Sequence, residues 1–225
     1  MTIILTNDDG IDAPGIRALQ QAISEESTIV APQNQHSGCG HQVTTNRGIQ
    51  VAQKSIREYA VDGTPVDCTR LAITQIATNP KLVLSGINAG GNLGTDVYIS
   101  GTVAAVREAA IQGIPGIAIS HWIKKPLVIN WELATQWTTR VLEDLLSRPA
   151  PPGSFWNVNL PHLEPEQPEP KIILCEPSVD PLPVDFKIDG DTYYYQGEYA
   201  KRARNPGTDV DICFGGNIAV TLIRL

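Results

Sequence analysis

Two adjacent carboxylates, Asp8 and Asp9, follow the apolar run Ile3-Ile4-Leu5 within the segment Asn7-Asp8-Asp9-Gly10. Paired carboxylates at the end of a buried strand are hard oxygen donors suited to Mg²⁺, Mn²⁺ or Ca²⁺. The same residues also suit a turn or a helix cap. A second polar stretch, Gln35-His36-Ser37-Gly38-Cys39-Gly40, follows another apolar run and by itself reads only as a loop. The third segment carries more information. Ser85-Gly86-Ile87-Asn88-Ala89-Gly90-Gly91-Asn92-Leu93-Gly94 leads to Ser100-Gly101-Thr102, and residues 85–101 hold five glycines in seventeen positions. Such a run permits unusual dihedrals and close backbone approach to a ligand. Hydroxyls and free N–H groups at a helix start suit a phosphate at the positive end of the dipole. Ser100 or Thr102 would serve equally as a helix cap, but a cap leaves the glycine pattern unexplained.

The formal net charge of −7 argues against duplex nucleic acid or an acidic membrane as partner. It also repels an anionic substrate, so a local cation or a cluster of N–H groups has to override the global field. That requirement points to a metal. Neither Gly-x₄-Gly-Lys-Ser/Thr nor an early Gly-x-Gly-x-x-Gly is present, which removes the main support for ATP hydrolysis and for dinucleotide binding. No Gly-x-Ser-x-Gly occurs either, so an elbow-type serine hydrolase is unsupported.

The elements that must position these residues follow from the apolar pattern. Ile3–Leu5, 28–31, 82–84 and 114–119 read as buried strands, and 49–61 as a small hairpin. Helices are expected from Pro14, from Pro65 to Ile76, over 103–111 and over 131–146. Continuously apolar strands alternating with helices indicate an α/β fold with a parallel sheet covered on both faces, a three-layer core over residues 1–149. Beyond Pro149, prolines punctuate short strand-like runs at 172–174, 192–195 and 218–223. Residues 150–225 therefore read as a β-rich extension that packs on the core or reaches a partner subunit. Tyr193-Tyr194-Tyr195 is its aromatic surface.

The chain has 225 residues, enough to bury a core without disulfides. Cys39, Cys68, Cys175 and Cys213 are widely spread and lack zinc-type spacing. They read as reduced thiols of a cytoplasmic protein. No stretch approaches the ~20 apolar residues of a membrane span, and the N-terminus has neither the basic region nor the cleavage site of a signal peptide.

The motifs taken together resemble the survival protein E (SurE) family. The resemblance rests on Asn7-Asp8-Asp9-Gly10 with Ala13-Pro14-Gly15-Ile16, on Ala31-Pro32 and Ser37-Gly38, and on Gly63-Thr64-Pro65-Val66-Asp67-Cys68. It continues through Ser85-Gly86-Ile87-Asn88 and Ser100-Gly101-Thr102-Val103-Ala104-Ala105, covering about residues 1–120 in order. Asn205-Pro206-Gly207-Thr208-Asp209 resembles a later family feature. The resemblance implies a Rossmann-like core and a divalent-metal-dependent 5′/3′-nucleotidase. Its metal, one Mg²⁺ or Mn²⁺ per subunit, would be held by Asp8, Asp9, Ser37 and Asn88. Asp8 and Asp9 are the candidate catalytic acids. Asn88, Asn92, Ser100, Gly101 and Thr102 are the expected phosphate contacts, with a nucleoside monophosphate as substrate and a homodimer or homotetramer as the assembly.

Three departures from the family pattern matter. Gly91 stands where a proline is common. The aromatic near Ser-Gly-Thr is displaced to Tyr98, which puts it in doubt as a substrate contact. The chain also ends soon after Ile218–Ile223 without the helical tail of longer members, which leaves the assembly open. His36 and His41 flank the Ser37 turn and read as exposed loop histidines that could reach a leaving group, while His121 and His162 read as structural. A covalent aspartyl-phosphate on Asp8 is the mechanistic alternative. A nucleotide sensor without turnover, or a structural oligomer binding Ca²⁺, are the alternative functions.

Overall fold

The computed structural model describes residues 2–164 and 166–225. In chain order the elements are β1 (Thr2–Thr6), α1 (Pro14–Gln21), β2 (Ser27–Pro32), β3 (Val51–Ser55), β4 (Glu58–Val61), α2 (Pro65–Leu71) and β5 (Pro80–Ala89). They continue with α3 (Gly101–Ile111), β6 (Gly116–His121), α4 (Trp131–Leu146), β7 (Ser154–Leu160), β8 (Ile172–Leu174), β9 (Phe186–Asp189), β10 (Thr192–Tyr195), α5 (Asp209–Phe214) and β11 (Ile218–Arg224). A π-helical turn, Ala72–Ile76, prolongs α2, and a 3₁₀ turn, Gly94–Tyr98, precedes α3.

Nine strands form one sheet in the order β3-β4-β2-β1-β5-β6-β7-β11-β8. Every neighbouring pair from β4 to β7 is parallel. The strands are apolar on consecutive residues because both faces are covered. Ile3, Leu5, Leu84, Ile117 and Ile119 face one layer with Ile16, Leu19, Val141 and Leu145 from α1 and α4. Ile4, Val83 and Ala118 point the other way, onto Cys68, Val103, Val106 and Ala109 from α2 and α3. Alternate residues of a strand project to opposite faces, so a continuous apolar run supplies both cores at once.

The third strand is longer than its apolar run suggests. Ser85 through Ala89 extend β5 instead of opening a loop. The pairing with β6 shifts register between Ser85 and Asn88, and the backbone at Gly86 has φ 138. A Cβ at Gly86 would stand 2.2 Å from the Ile119 carbonyl oxygen, so only glycine lets β5 lie this close to β6.

Beyond residue 149, β7, β8 and β11 lie in the central sheet, and β9 and β10 form a separate exposed hairpin. The strand β7 is not apparent from the sequence because its apolar run is broken by Asn157 and Asn159. Both asparagines are fully buried, and their amides donate to the Asn92 carbonyl at 2.9 and 3.1 Å. Their polarity serves the glycine-rich loop rather than solvent.

Candidate active site

In the sheet, β1 lies between β2, the next strand in sequence, and β5, which the chain reaches after crossing back. This reversal makes a crevice at the carboxyl ends of β1 and β5, where ligands of open α/β sheets bind. Asp8 and Asp9 leave the end of β1, Ser37 follows β2, and Asn88 is the penultimate residue of β5. All four line one cleft of about 330 Å³ together with Gln35, Asn92 and Ser100.

Each side chain is held by a different element. Asp8 is 4% exposed and accepts a hydrogen bond at Oδ1 from the Thr102 hydroxyl. Asp9 accepts from the Ala89 N–H at 3.1 Å, which ties it to β5. Gln35 links two arms, since its Nε2 donates to Ser37 Oγ at 2.8 Å and to Asp9 Oδ1 at 3.4 Å. The Asn88 amide nitrogen donates to the Gly90 carbonyl at 2.8 Å, which commits one of its two N–H donors to the loop and fixes the amide plane, with the oxygen as the candidate metal donor.

Burial raises the Asp8 carboxyl, the Thr102 hydrogen bond lowers it, and the Asp9 charge raises it again, for a balance of about 6. The buried Asp8 and the half-buried Asp9 beside it repel one another, and a cation between them would relieve that repulsion. Among the described residues no group of three or more His, Cys, Asp and Glu is placed to hold a metal. The candidate donor set is instead two carboxylates, one hydroxyl and one amide oxygen. All four are hard oxygen donors, which fits Mg²⁺ or Mn²⁺.

The expected phosphate residues divide. Ser100 lines the cleft, but its Oγ also accepts from the Val103 N–H at 3.1 Å and caps α3. Capping and ligand contact are thus compatible here. Asn92 lines the cleft as well, with its Nδ2 donating to Ser120 Oγ at 2.7 Å. Thr102 departs from expectation: it is fully buried behind Asp8, outside the cleft lining, and its hydroxyl serves the carboxylate. Gly101 also has a different use. A Cβ there would come within 2.8 Å of Asp8 Cβ and 2.9 Å of Cys39 Sγ, so glycine lets the start of α3 abut Asp8. In this first turn the Val103 N–H is taken by the Ser100 cap, and the N–H groups of Gly101 and Thr102 precede the first intrahelical bond, as at any helix start.

Several lining residues escaped the sequence. Ile99, Asp96, Leu182, Tyr195, Gly197 and Tyr199 form the wall facing the carboxylates. Asp96 is buried and receives the Tyr199 hydroxyl and the Arg202 guanidinium, both at 2.6 Å. Partners more than 100 residues apart leave no local signal. The late motif has a clear task, since Asp209 accepts from the Gly94 N–H at 2.6 Å and the Ser178 N–H at 2.8 Å and so moors the glycine-rich loop. Tyr98 is 75% exposed and lies outside this wall.

No histidine lines the cleft among the described residues. His36 donates its backbone N–H to the Asp8 carbonyl at 2.7 Å. His41, expected as an exposed loop residue, is half-buried and bonded to Glu108. Burial pushes the Cys39 thiol up to about 11, so it is no nucleophile at neutral pH. A second cavity of about 170 Å³ sits among Ile3, Leu82, Ile117, Leu145 and Trp156, and its two charged residues, Glu25 and Lys81, pair with each other. It holds no catalytic constellation.

Comparison with known proteins bears on this arrangement. The family profile described as Survival protein SurE matches residues 3–178. A Nostoc sp. (strain PCC 7120) protein named "Putative 5'-nucleotidase alr3139" is 63% identical, with all of both chains covered. The "5'-nucleotidase SurE" of Geobacter sulfurreducens is 38% identical over the whole of this chain and 88% of its own. The crystal structure of the SurE protein from Aquifex aeolicus superposes with a TM-score of 0.87 at 33% identity, covering 100% of this chain and 93% of that one. With the family profile matched over residues 3–178 and relatives 63% and 38% identical over the whole chain, the chain belongs to the survival protein SurE family.

Proposed function

We propose that this chain is a phosphoric monoester hydrolase acting as a divalent-metal-dependent 5′-nucleotidase, with hydrolysis of 3′-monophosphates as a second activity. The relatives named as 5′-nucleotidases support the reaction class. The observation that carries the rest is the convergence of Asp8, Asp9, Ser37 and Asn88 from three chain segments on one cleft. Its volume suits a nucleoside monophosphate.

Bound to those four residues, Mg²⁺ or Mn²⁺ would neutralise phosphate and lower the pKa of a coordinated water. The chain's own residues do the rest. Asp8 is held in one orientation by Thr102, and Asp9 by Ala89 and Gln35, so the two carboxylates need little rearrangement when a cation arrives. Either carboxylate can orient or accept a proton from the attacking water. Phosphate oxygens fall to the first turn of α3 and to Asn88, Asn92 and Ser100, where fixed dipoles stabilise the developing charge. Tyr195, Tyr199 and Leu182 give the nucleoside an apolar wall.

The remaining parts of the proposal follow from charge and surface. A net charge of −7 leaves duplex nucleic acid and acidic membrane aside as partners. Among the described residues no helix is long and apolar enough to cross a membrane, in keeping with a cytoplasmic enzyme. The exposed β9–β10 hairpin supports a homodimer or homotetramer. A phosphate-release screen over nucleoside 5′- and 3′-monophosphates with Mg²⁺, Mn²⁺ or a chelator tests the reading. Metal-independent release, or none from any nucleotide, contradicts it.

A further inference from the structure

Ser37 stands on the segment 33–48, which has no regular secondary structure, between Gly38 at φ 72 and Gln35. A second left-handed glycine, Gly40 at φ 56, follows at once. Backbone of this kind is free to take several paths, so a ligand on it needs an outside anchor. Past the turn, Thr64 Oγ1 donates to the Gln42 carbonyl at 2.7 Å and the Thr44 N–H to Asp67 Oδ1 at 3.0 Å, and around the turn itself three more bonds act. The His36 N–H reaches the Asp8 carbonyl at 2.7 Å, the Gly40 N–H reaches the Ile99 carbonyl at 3.0 Å, and His41 Nε2 stands 2.9 Å from Glu108 Oε2. Only Ser37, Gly38 and Cys39 lie between His36 and Gly40.

Glu108 is an unusual residue for its position. It is fully buried on α3, where the other buried residues beyond Thr102 are Val and Ala. Arg70 Nε donates to its Oε1 at 2.8 Å, Gln112 Nε2 to the same oxygen at 3.0 Å, and Arg70 Nη2 to Oε2 at 3.3 Å. Burial works to raise the carboxyl, but the bonds from Arg70, Gln112 and His41 outweigh it and hold it below the usual value. Glu108 is therefore an acceptor, and His41 Nε2 carries the proton between them. An Arg70–Glu108 pair would suffice to join α2 to α3. The arm to His41 does something else: it fastens the Ser37 loop to the same helix whose Thr102 fastens Asp8.

We propose that the Glu108–His41 contact is a positioning device for metal binding, with α3 as a strut that sets the distance between the Ser37 turn and Asp8. Thr102 and Glu108 stand six residues apart, roughly 9 Å along a helix. Two ligand-bearing segments distant in sequence thus take their spacing from one rigid element. His41 acts through the backbone it holds and touches no substrate. The inference rests on the metal reading above.

The test compares the full-length wild type with His41→Gln, whose amide nitrogen reaches about as far as Nε2, and His41→Asn, one methylene shorter. Mn²⁺ alone is titrated calorimetrically, without substrate, and amide hydrogen exchange is followed over residues 33–42. The Asn variant is expected to bind Mn²⁺ about ten- to a hundredfold more weakly, the range typical of outer-shell partners of a metal site. The Gln variant should stay within a few-fold of wild type. At saturating Mn²⁺ the Asn variant should recover most of kcat, and without metal its residues 36–41 should exchange faster. An Asn variant that is folded, binds Mn²⁺ like wild type and exchanges no faster overturns the clamp. So does a Gln variant as impaired as Asn. If wild type itself binds no Mn²⁺, the metal reading fails, and the exchange rates alone decide whether His41 holds the loop.

Discussion

The hydroxyl of Thr102, in the first turn of α3, donates to Oδ1 of Asp8, a residue 94 positions earlier in the chain. Asp8 is buried, so this bond is among the few interactions that offset the cost of its charge. Thr102→Val keeps the shape and deletes the donor. A hydrogen bond to a charged group contributes about 1.5–3 kcal/mol, so kcat/KM should fall roughly ten- to a hundredfold if the carboxylate geometry is lost. Thr102→Ser should recover most of it. Steady-state kinetics on the three proteins check this, and a Val variant with wild-type kcat/KM would show that Asp8 is oriented without Thr102.

Charge should dominate the ligand hierarchy. Asp9→Asn removes a carboxylate that Ala89 and Gln35 hold in place, whereas Ser37→Ala removes one neutral oxygen. The Asp9 variant should bind Mn²⁺ far more weakly than the Ser37 variant. Titration of each with Mn²⁺ decides, and a larger loss for Ser37→Ala would assign Ser37 a direct part in the chemistry.

Stability should fall in mild acid because of His121. Burial is the main cause that lowers its pKa to about 4, although its ring also bonds the Trp122 carbonyl at 2.7 Å. His162, whose ring meets it edge-on at 5.1 Å, is lowered in the same direction, again chiefly by burial. The folded value lies below the unfolded one, so the neutral ring's contribution is complete above about pH 6.5 and is lost as pH falls toward 4. The full effect for His121 is about 3 kcal/mol. Melting temperatures measured between pH 7 and 4 should drop less steeply for His121→Gln than for wild type. Parallel curves would place the acid sensitivity elsewhere.

The hairpin β9–β10 should be covered by a second copy of the chain. Register pairs Ile188 with Tyr193 and Phe186 with Tyr195, which sets these four side chains on one face, and all of them are exposed. A two-stranded sheet with a bare apolar face is marginal in water. Ile188→Asp with Tyr193→Asp should shift the protein to monomer at micromolar concentration, as read by light scattering. Wild type that is already monomeric would remove the hairpin from any interface.

Sequence alone determined the layers, because apolar periodicity is a local property. Ile3-Ile4-Leu5 has to bury both faces of its strand wherever that strand lies, so a parallel sheet between helices followed directly. The acids after β1 were legible as candidate ligands from their type and place, whereas Ser37 and Asn88 entered the candidate set through the family resemblance, since a polar residue in a loop after an apolar run does not by itself name a ligand. What tertiary structure decided is which side chains meet. Thr102 looked like a phosphate ligand until the packing of α3 on β1 turned its hydroxyl to Asp8. His41 looked exposed until Glu108 was found beneath it. Asn157 and Asn159 broke the apolar pattern of β7, yet they are buried because the Asn92 carbonyl takes their hydrogen bonds. A polar residue's surroundings depend on partners 60 or more positions away, and no periodicity encodes them. The far wall of the cleft, from Leu182 to Tyr199, comes from the β9–β10 hairpin and its flanking loops, whose sequence pattern does not say where they pack, so only the folded path could bring it to the carboxylates.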